Sequence, residues 1–154
     1  MPQVAVQFSL RRATDQNAAA IAELFHDSYR LLTLLPRLHT IEGYRRFVGN
    51  VMLKECAVTL AEDDTGIVAF LARRDREVRQ LYTRPDRTGR GAGTLLIEPA
   101  KASGVAALEL WCFQANTLAR RFYEARGFRA TRMTDGADNE ERTPDVRYRW
   151  ENPR

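Results

Sequence analysis

Residues 78–96 read VRQLYTRPDRTGRGAGTLL and place a strand, a glycine-rich turn and the start of a helix in direct succession. The run from Val78 to Thr83 predicts the strand. Gly89, Gly91 and Gly93 let backbone N–H groups approach an anion, and a helix N-terminus adds positive potential. The stretch therefore predicts either an ordinary turn or a phosphate-binding cradle.

Two common phosphate motifs do not fit this stretch. No Gly-Lys-Ser/Thr follows, as a P-loop requires, and Thr94 stands where a dinucleotide fingerprint has its third glycine. Glu109 lies about the right distance downstream for a ribose-binding acid, but inside the next predicted strand rather than at its end. A Rossmann site is not predicted.

A second stretch, residues 116–128, reads NTLARRFYEARGF and predicts a helix ended by a glycine. Helical spacing divides it into two stripes. One is apolar and belongs to the core; the other is formed by Asn116, Ala119, Arg120 and Tyr123. From periodicity alone, Tyr123 is an amphipathic aromatic residue at the edge of the core.

The remaining pattern extends from these stretches to both ends of the chain. Alternation over residues 4–10 predicts a first strand, and Thr14 or Asp15 and then Thr40 can cap two helices. Residues 57–61 and 67–72 predict a hairpin with a longer loop between them. The predicted order is βααβββαβαββ in one mixed α/β domain, with later elements at residues 91–103, 107–112, 117–126, 128–133 and 146–150.

Composition favours one soluble globular domain over residues 1–154, with 44% hydrophobic residues and a net charge of +4. No apolar run reaches the roughly 18 residues of a membrane span, and the N-terminus lacks a signal-peptide pattern, so a cytoplasmic location is expected. Cys56 and Cys112, with His26 and His39, have neither disulfide nor zinc spacing. We expect two core cysteines and no metal.

The charge is unevenly distributed. Arginines crowd residues 73–90, whereas acidic residues crowd residues 135–145. The arginines interleave with acids and lack regularly spaced aromatic residues, so nucleic-acid binding ranks last despite the pI of 9.4. The two patches predict two differently charged ligands or faces.

Together the two quoted stretches resemble the GNAT superfamily of acyl-CoA-dependent N-acyltransferases. Residues 78–96 resemble its acyl-CoA motif and residues 116–128 its following motif, and the element order matches the family over essentially the whole chain. Thr88 stands where the family usually has Arg or Gln, with Arg87 one place early. The resemblance implies a central mixed, mostly antiparallel sheet.

The resemblance also implies a site for acetyl-CoA. Its pyrophosphate would lie on the turn formed by Thr88 and Gly89 and on the N–H groups of Arg90, Gly91, Ala92, Gly93 and Thr94. The pantetheine would pair with the backbone of Leu81, Tyr82 and Thr83 like an added strand. Asn116 would bind the pantetheine or the substrate, with Ala119 and Arg120 on the same stripe, and Tyr123 would lie near the thioester sulfur.

An amine attacking a thioester needs a proton donor for the thiolate and a base for the amine. A phenol such as Tyr123 is a competent donor. Glu77 is the first candidate base, although it fits a solvated turn charge equally well, and Glu109 is the second.

The acceptor site is implied at residues 34–40 and 135–145, with His39, Asn139, Glu140 and Glu141 as candidates. The acidic loop can attract a cationic amine or can be a solvated face. His39 can orient the substrate or cap a helix.

The leading interpretation is an enzyme that acetylates a primary amine, on a small molecule or a peptide, by direct attack in a ternary complex. A non-catalytic acyl-CoA-binding module of the same fold is the alternative. Acetyl-CoA and an amine are the expected partners, with no nucleic acid or membrane, and a homodimer stays open.

Overall fold

The computed structural model describes residues 7–33 and 35–153, which form one seven-stranded sheet. Its order is β1-β2-β3-β4-β5-β7-β6, with β4 and β5 parallel and every other neighbouring pair antiparallel. The predicted mixed, mostly antiparallel sheet is confirmed. The strands are β1 (Ser9–Arg12), β2 (Ala57–Asp63), β3 (Gly66–Arg74), β4 (Glu77–Thr83), β5 (Ala107–Phe113), β6 (Arg129–Thr134) and β7 (Asp145–Glu151).

The helices lie where the caps predict them. Thr14 precedes a 3-10 turn that leads into α1, and the Thr40 hydroxyl accepts a hydrogen bond from the Gly43 N–H at the start of α2 (3.1 Å). A π-helical segment, Val48–Met52, joins α2 to the short α3, so these three form one helical segment and the predicted element order is confirmed. The helices are α1 (Ala18–Tyr29), α2 (Ile41–Phe47), α3 (Leu53–Glu55), α4 (Ala92–Lys101) and α5 (Thr117–Ala125).

Three local predictions need comment. The apolar stripe of α5 was wrongly assigned to the core, because Leu118 is 78% exposed, whereas Tyr123 of the other stripe is buried. The first strand begins at Ser9; Val4 and Val6 of the predicted strand lie outside the described residues. The longer hairpin loop over residues 62–66 was wrong, because β2 extends to Asp63 and β3 begins at Gly66. The Asp63 carboxylate accepts the Thr65 N–H at 2.7 Å, which closes a two-residue turn.

The core forms two layers, one on each face of the sheet. Phe70 and Ala72 of β3 pack with α1 and α2, whereas Ala69 and Leu71 belong to the cluster under α4 and α5. Adjacent residues of a strand point to opposite faces, so β3 is buried on both sides. Cys56 and Cys112 are buried and unpaired, one in each cluster, as predicted.

The sheet opens between β4 and β5. These strands are in register at Glu77 and Glu109, and the pairing does not continue beyond that point among the described residues. A bulge adds to the divergence, since Ala72 pairs with Gln80 but Arg73 pairs with Val78, leaving Arg79 as an extra residue. The backbone of β4 after this bulge therefore has a strand on one edge only.

Candidate functional site

The glycine-rich turn joins β4 to α4 and ends in an N-terminus that can receive an anion. Gly91 is the N-cap of α4 with a left-handed φ of 91°, a conformation that favours glycine. The first bond within the helix runs from the Leu95 N–H to the Gly91 carbonyl (3.0 Å). The N–H groups of Ala92, Gly93 and Thr94 therefore lie at the helix end, where they can bind a phosphate.

Arg90 is the arginine of this turn that stays available for a ligand. The Arg87 guanidinium contacts the carboxylates of Asp63 (3.1 Å) and Asp86 (3.2 Å). The Thr88 hydroxyl is 3.5 Å from the Pro85 carbonyl. Arg90 is exposed and has no hydrogen bond or ion pair within the described ranges. Arg87 therefore does not replace the side chain that the family usually has at position 88.

The first turn of α4 packs closely against α5. A Cβ at Gly93 would lie 3.1 Å from the Phe122 ring, which requires that ring to give way. The Thr94 hydroxyl accepts a hydrogen bond from Nε of Arg126 (3.1 Å), whose guanidinium lies 3.7 Å from the Phe122 ring centroid. The Thr94 hydroxyl and the space beside Gly93 are thus taken up by the packing of α4 on α5, so a ligand can reach these two residues only through their backbone N–H groups.

The end of β4 presents a free backbone edge beside this turn. Leu81, Tyr82 and Thr83 pair with β3 on one side. On the other side, facing β5, no strand of the described chain pairs with them. The Thr83 carbonyl already accepts a hydrogen bond from the Ser28 hydroxyl (2.7 Å). An extended ligand can therefore pair with this edge mainly through Leu81 and Tyr82.

Helix α5 places Tyr123 near both diverging strands, since Cys112 of β5 and Tyr82 of β4 are close enough to act on the pKa of its phenol. The ring is 8% exposed and packs against Phe122, Phe128 and Tyr148, with centroids 5.2, 5.4 and 6.2 Å away. Burial raises the pKa of Tyr123, and the Cys112 thiol adds to that effect. The phenol is therefore protonated at neutral pH and can act as a donor.

Three other residues of the predicted stripe have structural partners. Asn116 caps α5, its side-chain oxygen accepting the Ala119 N–H at 3.2 Å. Arg120 donates to the Tyr148 hydroxyl (3.0 Å) and to the Gln114 carbonyl (3.3 Å). A contact of Asn116 with a ligand would thus fall to its NH₂ group.

Cys112 lies close to Tyr123, and its thiol is poorly suited to act as a nucleophile. Burial raises the pKa of its thiol to about 11, although the charge of Arg120 acts in the opposite direction. A thiol with that pKa stays neutral at pH 7, and only a thiolate attacks effectively. The site therefore favours direct transfer over a covalent cysteine intermediate.

The two candidate bases differ in their surroundings. Glu109 contacts the guanidinium groups of Arg147 (2.7 Å) and Arg149, and these hydrogen bonds, that from Arg147 above all, lower its pKa. Glu77 also contacts Arg147 (3.3 Å) and Arg79 (3.3 Å), but 39% of its side chain is exposed and it borders a cavity of about 240 Å³. Glu77 is the more accessible carboxylate.

The structure brings three of the predicted acceptor residues to one cavity of about 430 Å³, namely His39, Glu140 and Glu141. His39 Nε2 lies 2.6 Å from a Glu140 carboxylate oxygen, which links the α1–α2 connection to the β6–β7 loop. The Asn139 NH₂ group instead donates to the Thr143 carbonyl (2.7 Å) and to Asp145 (3.2 Å). Asn139 shapes the acidic loop and borders a neighbouring cavity of about 380 Å³.

The sequence reasoning missed most of the walls of the larger cavity. Its body is lined by four aromatic side chains of α1 and α2: Phe25, Tyr29, Tyr44 and Phe47. Gln80 of β4 also lines it, and its Oε1 is a buried side-chain oxygen with no hydrogen-bond partner in the described part of the chain. Strand β4 reads EVRQLYT, so one more polar residue in it gave no distinctive signal.

Comparison with known proteins gives the family. The model of the GNAT acetyltransferase domain matches residues 54–130, which include both stretches quoted at the outset. The chain therefore belongs to the GNAT acetyltransferase family, a class of acyltransferases. No curated protein sequence matches it significantly.

Solved structures share the fold across nearly the whole chain. A GCN5-related N-acetyltransferase from Rhodopseudomonas palustris has 21% identity and a TM-score of 0.77, covering 98% of this chain and 99% of its own. PaiA N-acetyltransferase from Thermoplasma acidophilum, in complex with coenzyme A, has 17% identity and a TM-score of 0.73, with coverages of 94% and 99%. YncA from Salmonella typhimurium, with its cofactor acetyl-CoA, has 18% identity and a TM-score of 0.70, with coverages of 96% and 95%.

Two searches within the described residues were negative. No helix there is long and apolar enough to cross a membrane. The same residues contain no group of three or more His, Cys, Asp or Glu side chains placed to hold a metal ion.

Proposed function

We propose that this chain transfers the acetyl group of acetyl-CoA to a primary amine by direct attack in a ternary complex. One combination carries the proposal: the helix start that can bind an anion follows β4, the edge of β4 lacks a partner strand there, and Tyr123 of α5 lies near Tyr82 of that strand. Similar folds in two structures that contain coenzyme A or acetyl-CoA support it.

The residues present fit acetyl-CoA. A pyrophosphate needs several donors and positive charge, which the N–H groups of Ala92, Gly93 and Thr94 and the side chain of Arg90 supply. A pantetheine arm carries amide groups that can pair with a strand edge, as the backbone of Leu81 and Tyr82 offers. These features match the two chemically distinct parts of the molecule.

The proposed reaction forms a C–N bond and breaks a C–S bond. The amine nitrogen attacks the thioester carbonyl carbon, and the sulfur leaves with the electron pair of the C–S bond. Tyr123 gives that sulfur a proton, since its phenol is protonated at neutral pH.

The base is proposed to be Glu77, acting through water. Hydrogen bonds from Arg147 and Arg149 lower the pKa of Glu109 and occupy both of its carboxylate oxygens, so it is the poorer acceptor. Glu77 is half-exposed and shares a cavity with Gln80, which gives water a route from the amine. His39, Glu140 and Glu141 are proposed to bind the acceptor, with Asn139 holding their loop in shape.

The test is a panel of primary amines incubated with acetyl-CoA, with release of the CoA thiol as the readout. Thiol release that depends on the amine supports an acetyltransferase. Tight binding of acetyl-CoA without release for any amine contradicts catalysis and favours the non-catalytic binding module.

A further inference from the structure

The cavity of about 430 Å³ has a charge opposite to that of the chain as a whole. The net charge is +4, yet the described residues that line this cavity include two glutamates and no lysine or arginine. His39, the one basic residue among them, is paired with Glu140. The pKa of Tyr29 and that of Tyr44 are raised, first by burial of each phenol and second by the negative charge of Glu141. That charge therefore acts on both phenols.

The walls of the same cavity are aromatic. Phe25 lies edge-on to Tyr44 (centroids 5.0 Å apart) and stacks on Tyr82 (4.6 Å), while Phe47 lies 6.4 Å from Phe25. Aromatic faces bind apolar groups and also attract cations through their negative π-systems. The lining therefore suits a ligand with an apolar body and a positive charge.

Gln80 supplies a polar group at the inner wall. It sits one residue before Leu81, next to the strand edge at which the thioester is proposed to bind. Its Oε1 is buried without a partner, and a buried acceptor in that state costs free energy until a donor reaches it. The arginine beside it, Arg79, is already paired with Glu55 and Glu77.

From these observations we infer that the acceptor is a small amine with an aromatic or branched aliphatic body and no carboxylate. This inference rests on the proposed acetyl transfer. The apolar body lies among the rings of α1 and α2, Glu141 attracts the ammonium form, and the amine N–H donates to Gln80 Oε1. An α-amino acid would bring a carboxylate into a cavity that offers two glutamates and no unpaired cation, and it is therefore rejected.

The test compares phenethylamine with phenylalanine, which share a ring and a primary amine and differ in one carboxylate. We expect kcat/KM for phenethylamine to exceed that for phenylalanine by at least about tenfold, since an unpaired buried charge is penalised by more than a neutral group. Glu141→Gln should narrow this ratio, whereas Glu98→Gln, which removes an exposed carboxylate on α4, should leave it unchanged. Gln80→Leu should lower kcat/KM for phenethylamine by up to about tenfold, the effect of one hydrogen bond.

A kcat/KM for phenylalanine that equals or exceeds that for phenethylamine overturns the inference and leaves acetyl transfer intact. If neither compound is acetylated while another amine of the panel is, the inference is overturned and acetyl transfer stands. If no amine of the panel is acetylated, the proposed function is contradicted, and binding then decides the inference. The probe is phenethyltrimethylammonium, which keeps the ring and the positive charge and cannot be acetylated. Calorimetric binding that weakens in Glu141→Gln and not in Glu98→Gln supports the cavity assignment, and absence of binding to the wild-type chain overturns it.

Discussion

Glu77 of β4 and Glu109 of β5 stand opposite each other where the two parallel strands pair, and Arg147 of β7 contacts both carboxylates. One arginine thus compensates two acids that would otherwise repel each other. The arrangement fixes the strands at the point from which they diverge. Because the two glutamates share Arg147, substitutions at Glu77 and Glu109 are expected to affect each other.

Glu109→Gln should lower stability rather than activity. The pKa of Glu109 is lowered in the folded state, first by the hydrogen bond from Arg147, so its carboxylate stabilises the fold above the usual glutamate range. That contribution is lost as pH falls through the lowered pKa. At neutral pH the loss should be about 0.5–1 kcal/mol, since the pair is partly exposed. Urea unfolding of wild type and Glu109→Gln at several pH values checks this; a difference in unfolding free energy that grows in acid would contradict it.

Glu151→Gln is the matched control, because it removes an exposed carboxylate that also pairs with Arg149.

Glu77→Gln should lower kcat and leave the affinity for acetyl-CoA nearly unchanged. Loss of a general base typically costs about 10²- to 10⁴-fold. The measurement is steady-state kinetics with a good amine substrate beside Glu109→Gln, whose kcat should stay within a few-fold of wild type. Normal turnover in Glu77→Gln would exclude Glu77 as the base and leave its carboxylate with a structural role only, in the ion pairs with Arg79 and Arg147.

Tyr123→Phe should reduce kcat by about 10²- to 10⁴-fold and preserve acetyl-CoA binding. The ring packing stays and only the proton donor is lost. The CoA thiol has a pKa near that of cysteine, roughly 8.5, so at higher pH the thiolate leaves with less need of a proton and the deficit should shrink.

The matched control is Tyr148→Phe, whose ring lies 6.2 Å from that of Tyr123. Its hydroxyl binds Arg120 and Glu124, so the change should cost roughly 1–3 kcal/mol of stability with near-normal kcat. Wild-type turnover in Tyr123→Phe, measured with chemistry rate-limiting, would discard the general-acid role.

Gly91→Ala should weaken acetyl-CoA binding beyond its effect on stability. Both Gly91 and Gly104 have a φ of 91° with open space at the Cβ position, so alanine should cost each site a similar amount, about 1–2 kcal/mol. Gly104 follows the far end of α4. Calorimetry with acetyl-CoA should show weaker binding for Gly91→Ala and unchanged binding for Gly104→Ala. Equal affinities in the two variants would contradict a role of the turn in binding acetyl-CoA.

Arg90→Ala should weaken coenzyme A binding and make it less sensitive to salt, because an exposed, unpaired cation is lost beside the helix end. Arg87→Ala should instead reduce stability, since Arg87 pairs with the largely buried Asp63. Titration at two ionic strengths separates them. If Arg87→Ala rather than Arg90→Ala weakens coenzyme A binding and its salt dependence, Arg87 leaves Asp63 to bind the ligand.

Local chemistry explains which elements could be predicted. Helix α5 was predicted at residues 117–126 and is found at Thr117–Ala125. It could be predicted because both of its end signals are local: Asn116 caps the Ala119 N–H at its start, and Gly127 adopts a positive φ after its end. The tight turn after Asp63 was not predicted. Its carboxylate accepts the Thr65 N–H, and it is also held by the side chain of Arg87, which lies far along the chain. Long-range partners of that kind leave no mark on spacing.

The site divides in the same way. The glycine-rich turn is visible in the sequence because a helix start and its glycines are adjacent in the chain. Gln80 was missed because its orientation depends on the bulge at Arg79, which exists only in the pairing of β4 with β3. Arg149, the arginine that contacts Glu109 but not Glu77, comes from β7, which is distant in the sequence and pairs with β5.

The two apolar clusters share the sheet but no helix: α4 and α5 cover one face, and α1 and α2 cover the other. The turn that begins α4 belongs to the first layer, and the aromatic cavity belongs to the second. Substitutions at distant sites act nearly independently on stability, so changes in the outer helices of one layer should have little effect on those of the other. Under the proposed function, α4 and its turn can stay unchanged and keep acetyl-CoA while substitutions in α1 and α2 change the acceptor, so that descendants of one ancestor differ in acceptor and share the fold.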